Sequence, residues 1–349
     1  MSANREQFRP VDHTNDHFLL TTVVGSHPKP EWLRQTRTLY DDGDIGEQDW
    51  EEALDDAARL IVEEHERADL DVVVDGEMRR TEMVEYFAER ISGYEFNGPV
   101  KVWGHNYFDK PSVVEAVERT HPWLLDEFEF ASDVARSPVK VPITGPYTLA
   151  SWSFNEHYED TGALAEALSG LVRAEIDQLI EAGARYIQID EPALATTPDD
   201  HRIVGSCLTE IADGLADDVR VGLHVCYGDY SRIYPELLEY PVDEIDLEQA
   251  NQGFDQLGVF QDPPFSKDLA LGVVDVHDTT VESVEEIKEN IRRGLEIVPP
   301  DQLTVSPDCG VKLLPREVAY EKLCNMVQAA REIEAELDAG LIEIPALDN

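Results

Sequence analysis

Short apolar runs alternate with longer amphipathic stretches along most of the chain. Such runs predict buried strands, and the amphipathic stretches predict helices that pack on one face. The predicted strands cover residues 19–25, 71–75, 139–144, 185–190, 219–226, 242–247, 269–276 and 302–306. The predicted helices cover residues 49–68, 162–182, 203–216, 232–239, 281–297 and 315–337. This alternation is typical of a parallel sheet, and eight strands in this order predict an α/β fold of the (βα)8 TIM-barrel type.

Two segments depart from the alternation. Residues 93–138 form a long insertion between the second and third strands, where we expect a strand followed by two helices. Long connections of this kind often serve as lids or binding loops. Residues 1–16 are polar and are expected to be a frayed N-terminal segment. Residues 17–349 are therefore predicted to form a single catalytic barrel domain.

Polar residues capable of chemistry cluster at the C-terminal ends of the predicted strands. They are Ser26, Glu77, Thr144, Asp190, His224, Cys226, Glu248, His277 and Cys309. In an α/β barrel this is the face that carries the active site. No glycine-rich phosphate loop follows the first strand, so the pattern favours a barrel over a dinucleotide-binding fold.

Four of these residues predict a metal site. His224 and Cys226 are two apart on one strand, so their side chains point to the same face. Together with Glu248 and Cys309 they offer two thiolates, an imidazole and a carboxylate, a ligand set that suits Zn²⁺. Paired Cys-x-x-Cys knuckles, the mark of a zinc ribbon, do not occur here. A zinc centre with this many anionic ligands suits the holding of a nucleophilic thiolate better than the activation of water, although a closed structural zinc is the alternative.

The amino-acid composition limits the classes of molecule that the protein can bind and its cellular location. The chain has 73 acidic against 28 basic residues and a formal net charge of −45, which disfavours nucleic acid. The acidic residues are spread along the whole sequence, a pattern that predicts a surface adapted to concentrated salt. No apolar run is long enough for a membrane span and no signal sequence is visible, so a cytoplasmic location is expected. Cys207 and Cys324 are expected to be buried free thiols.

Taken together, the motifs resemble the cobalamin-independent methionine synthase family. In that family the second zinc ligand is followed by a glutamate 22 residues later and by a cysteine in a Pro-Asp-Cys-Gly turn. Here Glu248 follows Cys226 by 22 residues and Cys309 follows it by 83. Further blocks in family order are residues 24–26, 76–77, 83–87, 144–146, 152–154, 188–194 and 275–277. The resemblance runs from about residue 18 to residue 333 and implies methyl transfer to the thiol of homocysteine, giving methionine.

The resemblance also implies an amino-acid clamp. Ser26, Glu77 and Asp190 match the family residues that hold homocysteine. Carboxylates suit its ammonium group and a hydroxyl suits its carboxylate. Glu191 could replace Asp190 as the contact, because adjacent strand residues point in opposite directions.

For the methyl donor, the resemblance implies two residues. Trp152 matches the tryptophan that lies against the pterin ring of methyltetrahydrofolate, and His277 matches the histidine that helps to protonate the folate leaving group. The alternatives are a core position for Trp152 and a hydrogen bond to a zinc ligand for His277. The donor half also departs from the family pattern: no arginine precedes the Lys110-Pro111 turn, Thr196 replaces a glutamate, and His27 replaces a phenylalanine.

Three readings therefore stay open. The first is methionine synthesis from homocysteine and a methyl-folate. The second is the same acceptor chemistry with methylcobalamin or a methyl-corrinoid protein as the donor. The third is a non-catalytic zinc-binding subunit of a two-chain methionine synthase. The long enzymes of the family carry a second, N-terminal barrel-like domain that this chain does not match, which leaves two alternatives: the chain acts alone or beside a separately encoded partner chain.

Overall fold

The computed structural model describes residues 17–103 and 106–342. The predicted frayed segment, residues 1–16, lies outside the described residues. So do residues 104–105 of the predicted insertion and residues 343–349 at the end of the predicted domain.

The described residues form a mixed α/β fold. The strands are β1 (Leu20–Thr21), β2 (Ile91–Phe96), β3 (Val100–Trp103), β4 (Asn106–Phe108), β5 (Pro111–Arg119), β6 (Lys140–Thr144), β7 (Phe154–Asn155), β8 (Tyr186–Asp190), β9 (Arg220–Val225), β10 (Glu244–Leu247), β11 (Asp268–Val274) and β12 (Leu303–Pro307). The main sheet has seven strands in the order β1-β12-β11-β10-β9-β8-β6. The pairings β1–β12, β12–β11, β11–β10 and β9–β8 are parallel.

Helices connect most of these strands. They are α1 (Glu31–Asp41), α2 (Glu47–Arg67), α3 (Glu85–Ala88), α4 (Leu125–Val134), α5 (Pro146–Ser151), α6 (Thr161–Glu181), α7 (Pro192–Thr196), α8 (His201–Ala212), α9 (Val284–Gly294) and α10 (Arg316–Asp338). Short 3₁₀ turns lie at Pro198–Asp200, Tyr230–Arg232, Glu236–Glu239, Ala250–Gln252, Leu257–Gln261 and Pro300–Gln302. Among the described residues, no helix has the length and apolar character that a membrane span requires.

The chain divides into two compact units. Of the described residues, the first contains 17–79, 127–141 and 244–342, and the second contains 80–103, 106–126 and 142–243. In the first unit the strands β11 and β12 are buried almost throughout. In the second unit β8 and β9 are buried along their whole length, as expected for strands of a parallel sheet.

The predicted strand at 71–75 is not a regular strand. Within it Val73 makes an isolated parallel bridge to Val139. The N–H groups of Asp71 and Val72 both donate to the carbonyl of Thr21, each at 3.1 Å. A regular parallel ladder uses alternate residues, so two adjacent donors on one carbonyl interrupt it.

Two further expectations were wrong. The insertion at 93–138 was expected to hold one strand and two helices, but its described residues contain most of β2, the strands β3 to β5 and a single helix, α4. β2 and β5 pair in antiparallel fashion. The predicted helix at 232–239 is replaced by 3₁₀ turns on either side of Pro235, because proline has no N–H to donate inside a helix.

Candidate functional site

Three of the predicted metal ligands converge. His224 lies near the end of β9, Cys226 follows that strand directly, and Cys309 lies two residues beyond β12. One ligand atom from each lies within 4.8 Å of the other two. Ligands bound at 2.0–2.3 Å to one tetrahedral zinc ion lie about 3.3–3.8 Å apart, a spacing that this upper limit of 4.8 Å admits. His224 and Cys226 are buried and Cys309 is partly exposed, which gives the group one accessible side.

Glu248, the fourth predicted ligand, is not part of this group of three. Its side chain is fully buried one residue beyond β10. The side-chain amides of Asn251 and Gln252 donate to its Oε1, at 2.9 and 3.3 Å. The structure therefore gives Glu248 a fixed carboxylate near the end of a sheet strand, and its role as a ligand stays a prediction.

Asp308 was not singled out by the sequence. It precedes Cys309 and is fully buried. Its carboxylate accepts hydrogen bonds from three consecutive backbone N–H groups, those of Gln249 (2.8 Å), Ala250 (2.8 Å) and Asn251 (2.6 Å). Burial raises the pKa of this carboxyl to about 7, and the three N–H groups oppose the shift. The Asp in the Ser-Pro-Asp-Cys-Gly run was visible, but its partners lie 57 to 59 residues away.

Two of the predicted clamp residues lie on adjoining loops. The Ser26 hydroxyl packs so closely on Gly310 that a Cβ at position 310 would overlap it. The N–H of His27 donates to the carbonyl of Gly76 at 3.0 Å. Gly76 and Glu77 both have positive φ, 72° and 56°. A glutamate in this left-handed region is uncommon, and such strain often accompanies functional sites.

Asp190 and Glu191 point into different surroundings. Asp190 is 8% exposed and its Oδ1 accepts a hydrogen bond from the Gln188 amide at 2.7 Å. Glu191 is fully buried. Its carboxylate accepts from the N–H of Tyr147 (2.9 Å) and from the N–H and hydroxyl of Thr148 (2.7 and 2.6 Å). Burial raises the pKa of Glu191 to about 7. The Glu191 carboxylate thus holds the start of α5.

His277 lies at the surface, on the segment after β11. Its backbone N–H and its Nδ1 lie 2.7 and 3.2 Å from Asp275 Oδ1. Behind this segment the fully buried Lys322 donates to the Asp275 carbonyl and to the Glu282 carboxylate, both at 2.8 Å. Glu282 in turn accepts from the Asp275 N–H at 2.9 Å. The sequence predicted His277 but gave no sign of Lys322 or Glu282.

Trp152 follows α5 directly and is half-buried. The next residue, Ser153, donates its hydroxyl to the Leu149 carbonyl at 2.6 Å and so fixes the end of the helix. Phe154 beyond it is 45% exposed, and the Lys110 ammonium lies 4.3 Å from the centre of its ring. The predicted donor-binding tryptophan is therefore two residues away in sequence from an exposed aromatic ring that has a cation over it.

Comparison with known proteins gives a consistent result. A family model described as "Cobalamin-independent synthase, Catalytic domain" matches residues 19–332. The methionine synthase of Sulfurisphaera tokodaii is 44% identical over 320 residues, covering 91% of this chain and 94% of that protein. The methionine synthase of Pyrococcus furiosus is 43% identical over 321 residues, covering 92% and 94%.

Among solved structures, a B12-independent methionine synthase from Shewanella sp. W3-18-1 in complex with selenomethionine superimposes with a TM-score of 0.82 and 26% identity. The match covers 92% of this chain and 99% of that one. A methyltransferase from Methanosarcina mazei matches with a TM-score of 0.61 at 18% identity and shows the fold alone.

Proposed function

Because this chain belongs to the cobalamin-independent methionine synthase family and is a methyltransferase enzyme, we propose that it transfers a methyl group to the thiol of homocysteine and forms methionine. The observation that carries the proposal is the convergence of His224, Cys226 and Cys309. Family membership as an enzyme favours this reading over a non-catalytic zinc-binding subunit.

The ligand set fits zinc. Two thiolates and an imidazole are the donors that zinc prefers, and Glu248 would supply the fourth ligand. When bound, zinc lowers the pKa of a thiol, so that homocysteine would react as its thiolate near neutral pH. The partial exposure of Cys309 supports access by a substrate. Cys309 also packs against a buried apolar cluster, which strengthens local electrostatic interactions; the cluster consists of Val276, Val311, Leu314 and Ala319.

The charge and the exposure of the side chains support an assignment of the residues that bind homocysteine. We propose that Asp190 and Glu77 bind the homocysteine ammonium and that Ser26 donates to its carboxylate. Asp190 retains slight exposure, whereas the Glu191 carboxylate accepts hydrogen bonds from backbone N–H groups in the first turn of α5. This contrast supports Asp190 over Glu191. The packing of Ser26 on Gly310 supports a clamp beside Cys309.

We propose a methyl-folate as the donor. A tertiary amine leaves poorly until it is protonated, so the reaction needs a general acid. His277 is suited to this role because the Asp275 carboxylate lies at its Nδ1 and orients the ring, so that Nε2 can carry the proton. Trp152 offers a flat surface for the pterin. The altered donor residues, Thr196 among them, keep methylcobalamin or a methyl-corrinoid protein as the alternative.

We also propose that the sheet closes as a (βα)8 barrel in a single catalytic domain, with residues 71–75 as the eighth strand. The Val73 N–H donates to the Pro138 carbonyl, and the Lys140 N–H donates to the Val73 carbonyl, both at 2.9 Å. The bonds from residues 71 and 72 to Thr21 supply contacts to β1. These contacts support an irregular strand in the place that a barrel requires.

We further propose that the acidic surface is an adaptation to a salt-rich cytoplasm. The net charge of −45 produces strong self-repulsion at low ionic strength. Salt near 1 M reduces the Debye length to about 3 Å and suppresses this repulsion. Thermal unfolding should therefore occur at a higher temperature in molar KCl than in dilute buffer. An unchanged unfolding temperature would contradict the adaptation.

The deciding experiment measures methionine formation by the purified protein. Homocysteine is offered with methyl-folates of different glutamate tail length and, in parallel, with methylcobalamin. We expect methionine from the methyl-folates and one zinc per chain by metal analysis. Turnover with methylcobalamin alone would overturn the folate proposal and leave the zinc and homocysteine proposal standing. A zinc-loaded protein that is inactive with every donor would point to a required partner chain, which addition of cell extract would test.

A further inference from the structure

The loop that follows Glu248 is tied to the residue that precedes Cys309. Three successive N–H groups of this loop, at positions 249–251, point at the two oxygens of the buried Asp308 carboxylate at 2.6 to 2.8 Å. The N–H of Asp308 itself donates to the Val274 carbonyl in β11 at 3.0 Å. One residue, through its side chain and its backbone N–H, thus joins the chain after β10 to the ends of β11 and β12.

The bonding pattern requires a carboxylate. An ionised Asp can accept on both oxygens, whereas an Asn has one acceptor and one NH₂ group. In Asp308→Asn, the NH₂ group would face at least one backbone N–H of the loop, and that donor would lose its buried partner. The space is also closed, since a Cβ at Gly272 would overlap the Asp308 carboxylate. The carboxylate therefore has little room to turn.

The same loop holds the Glu248 carboxylate. Asn251 donates to Glu248 Oε1 through its side-chain amide, and Gln252 donates to the same oxygen. The backbone of Asn251 is one of the three donors to Asp308. Asn251 therefore links the two carboxylates: its backbone N–H donates to Asp308, and its side-chain amide donates to Glu248.

We propose that Asp308 is a positioning residue of the metal centre, which fixes the predicted ligands Glu248 and Cys309 relative to each other before metal binds. The inference rests on the proposed metal centre. It assigns a role to a residue that would not contact the metal: Asp308 acts through the loop at 249–252 and through its covalent neighbour.

The test compares Asp308→Asn with Asp160→Asn. Asp160 is a matched control because it also accepts a backbone N–H, that of Ala163 at 2.8 Å, but it caps α6, which carries none of the predicted ligands. Zinc affinity is measured by competition with a chelator. Loss of groups that orient metal ligands costs about 10- to 100-fold in affinity, so we expect a loss of this size for Asp308→Asn and native affinity for Asp160→Asn.

Two further measurements separate positioning from general destabilisation. The visible absorption of the cobalt-substituted protein reports ligand geometry, and we expect it to change in Asp308→Asn alone. Excess zinc should restore occupancy and most of the methyl transfer in this variant. A change confined to unfolding temperature, with native zinc affinity and cobalt spectrum, would overturn the inference.

Asn251→Ala covers the case in which Asp308→Asn does not fold. Asn251 is exposed, so its truncation should be tolerated, yet it removes the amide that donates to Glu248. We expect a zinc affinity several-fold below native, and native affinity would count against the loop as the connection. If the native protein holds no zinc, the proposed function falls together with this inference. If the native protein binds zinc and Asp308→Asn binds it with the same affinity, this inference is contradicted and the proposed function stands.

Discussion

The loop after β10 and the segment after β11 both carry a predicted functional residue, but they are held in different ways. In the first, Glu248 and Gln249 are fully buried and a buried carboxylate gathers the backbone. In the second, Lys322 fixes the backbone from the interior while His277 lies at the surface. The proposed metal side, the loop with Glu248, is therefore held by buried hydrogen bonds. The proposed donor side, the segment with His277, is held at its base by Lys322 and exposes the imidazole ring.

The largest expected effect breaks the metal side. Cys309→Ser should lose zinc and methyl transfer together, because a serine hydroxyl is a far weaker zinc ligand than a thiolate. The fold should persist, since Cys309 lies beyond the end of β12. Metal analysis and circular dichroism check both points, with Cys324→Ser, a thiol outside the predicted ligand set, as the control. Unchanged zinc content in Cys309→Ser would remove this residue from the ligand set.

The next effect tests whether His277 and Trp152 contribute only to reaction with a methyl-folate donor. His277→Asn should lower turnover with methyl-folate by about 10²- to 10⁴-fold, the range for loss of a general acid, while zinc content stays native. With methylcobalamin, which needs no proton on its leaving group, the variant should work nearly as well as the native protein. Trp152→Ala should follow the same rule. Equal losses with both donors would show that these residues serve the acceptor half.

A smaller effect is expected at the clamp. Asp190→Asn and Glu77→Gln each lose a charge-assisted contact worth about 1.5–3 kcal/mol, or roughly 10- to 150-fold in homocysteine affinity. Zinc affinity should change much less. Calorimetry with homocysteine measures the first quantity. Glu191→Gln is the informative contrast, because a loss confined to protein stability in that variant, with native homocysteine affinity, would support Asp190 as the contact.

The smallest expected effect tests whether the loop after β10 and the segment after β11 are held independently of each other. Lys322→Met should speed amide hydrogen exchange in residues 275–282, because Lys322 donates to Asp275 and Glu282 in that segment. Exchange in residues 248–252 should stay native. Hydrogen exchange followed by mass spectrometry reads the two segments separately. Lys288→Met is a matched control, since Lys288 pairs with acidic residues of α10. Faster exchange in both segments would show that the two loops are not held independently.

The sequence predicted the buried strands well. The boundaries of β8 and β9 were correct to within one residue, because both are short runs rich in apolar residues and buried along their whole length. The prediction for the insertion was wrong because β2 and β5 belong to a three-stranded sheet, carry exposed residues and are not buried along their whole length. Within the site, the motif spacing predicted the four metal ligands, and the structure brings three of them, His224, Cys226 and Cys309, together. Asp308 and Lys322 were not predicted, because a polar residue that is buried by distant partners looks like any surface residue in the sequence.

Two glycines lie against buried carboxylates, and this close packing restricts how the chain can change in evolution. A Cβ at Gly272 would overlap the carboxylate of Asp308, and a Cβ at Gly145 would overlap that of Glu191. In each pair the larger side chain occupies the volume that the glycine leaves empty. Neither member can then drift alone. Among related sequences, a residue other than glycine at either position should be accompanied by a shorter side chain at the paired position. An alignment in which the two members of a pair vary independently would contradict this coupling.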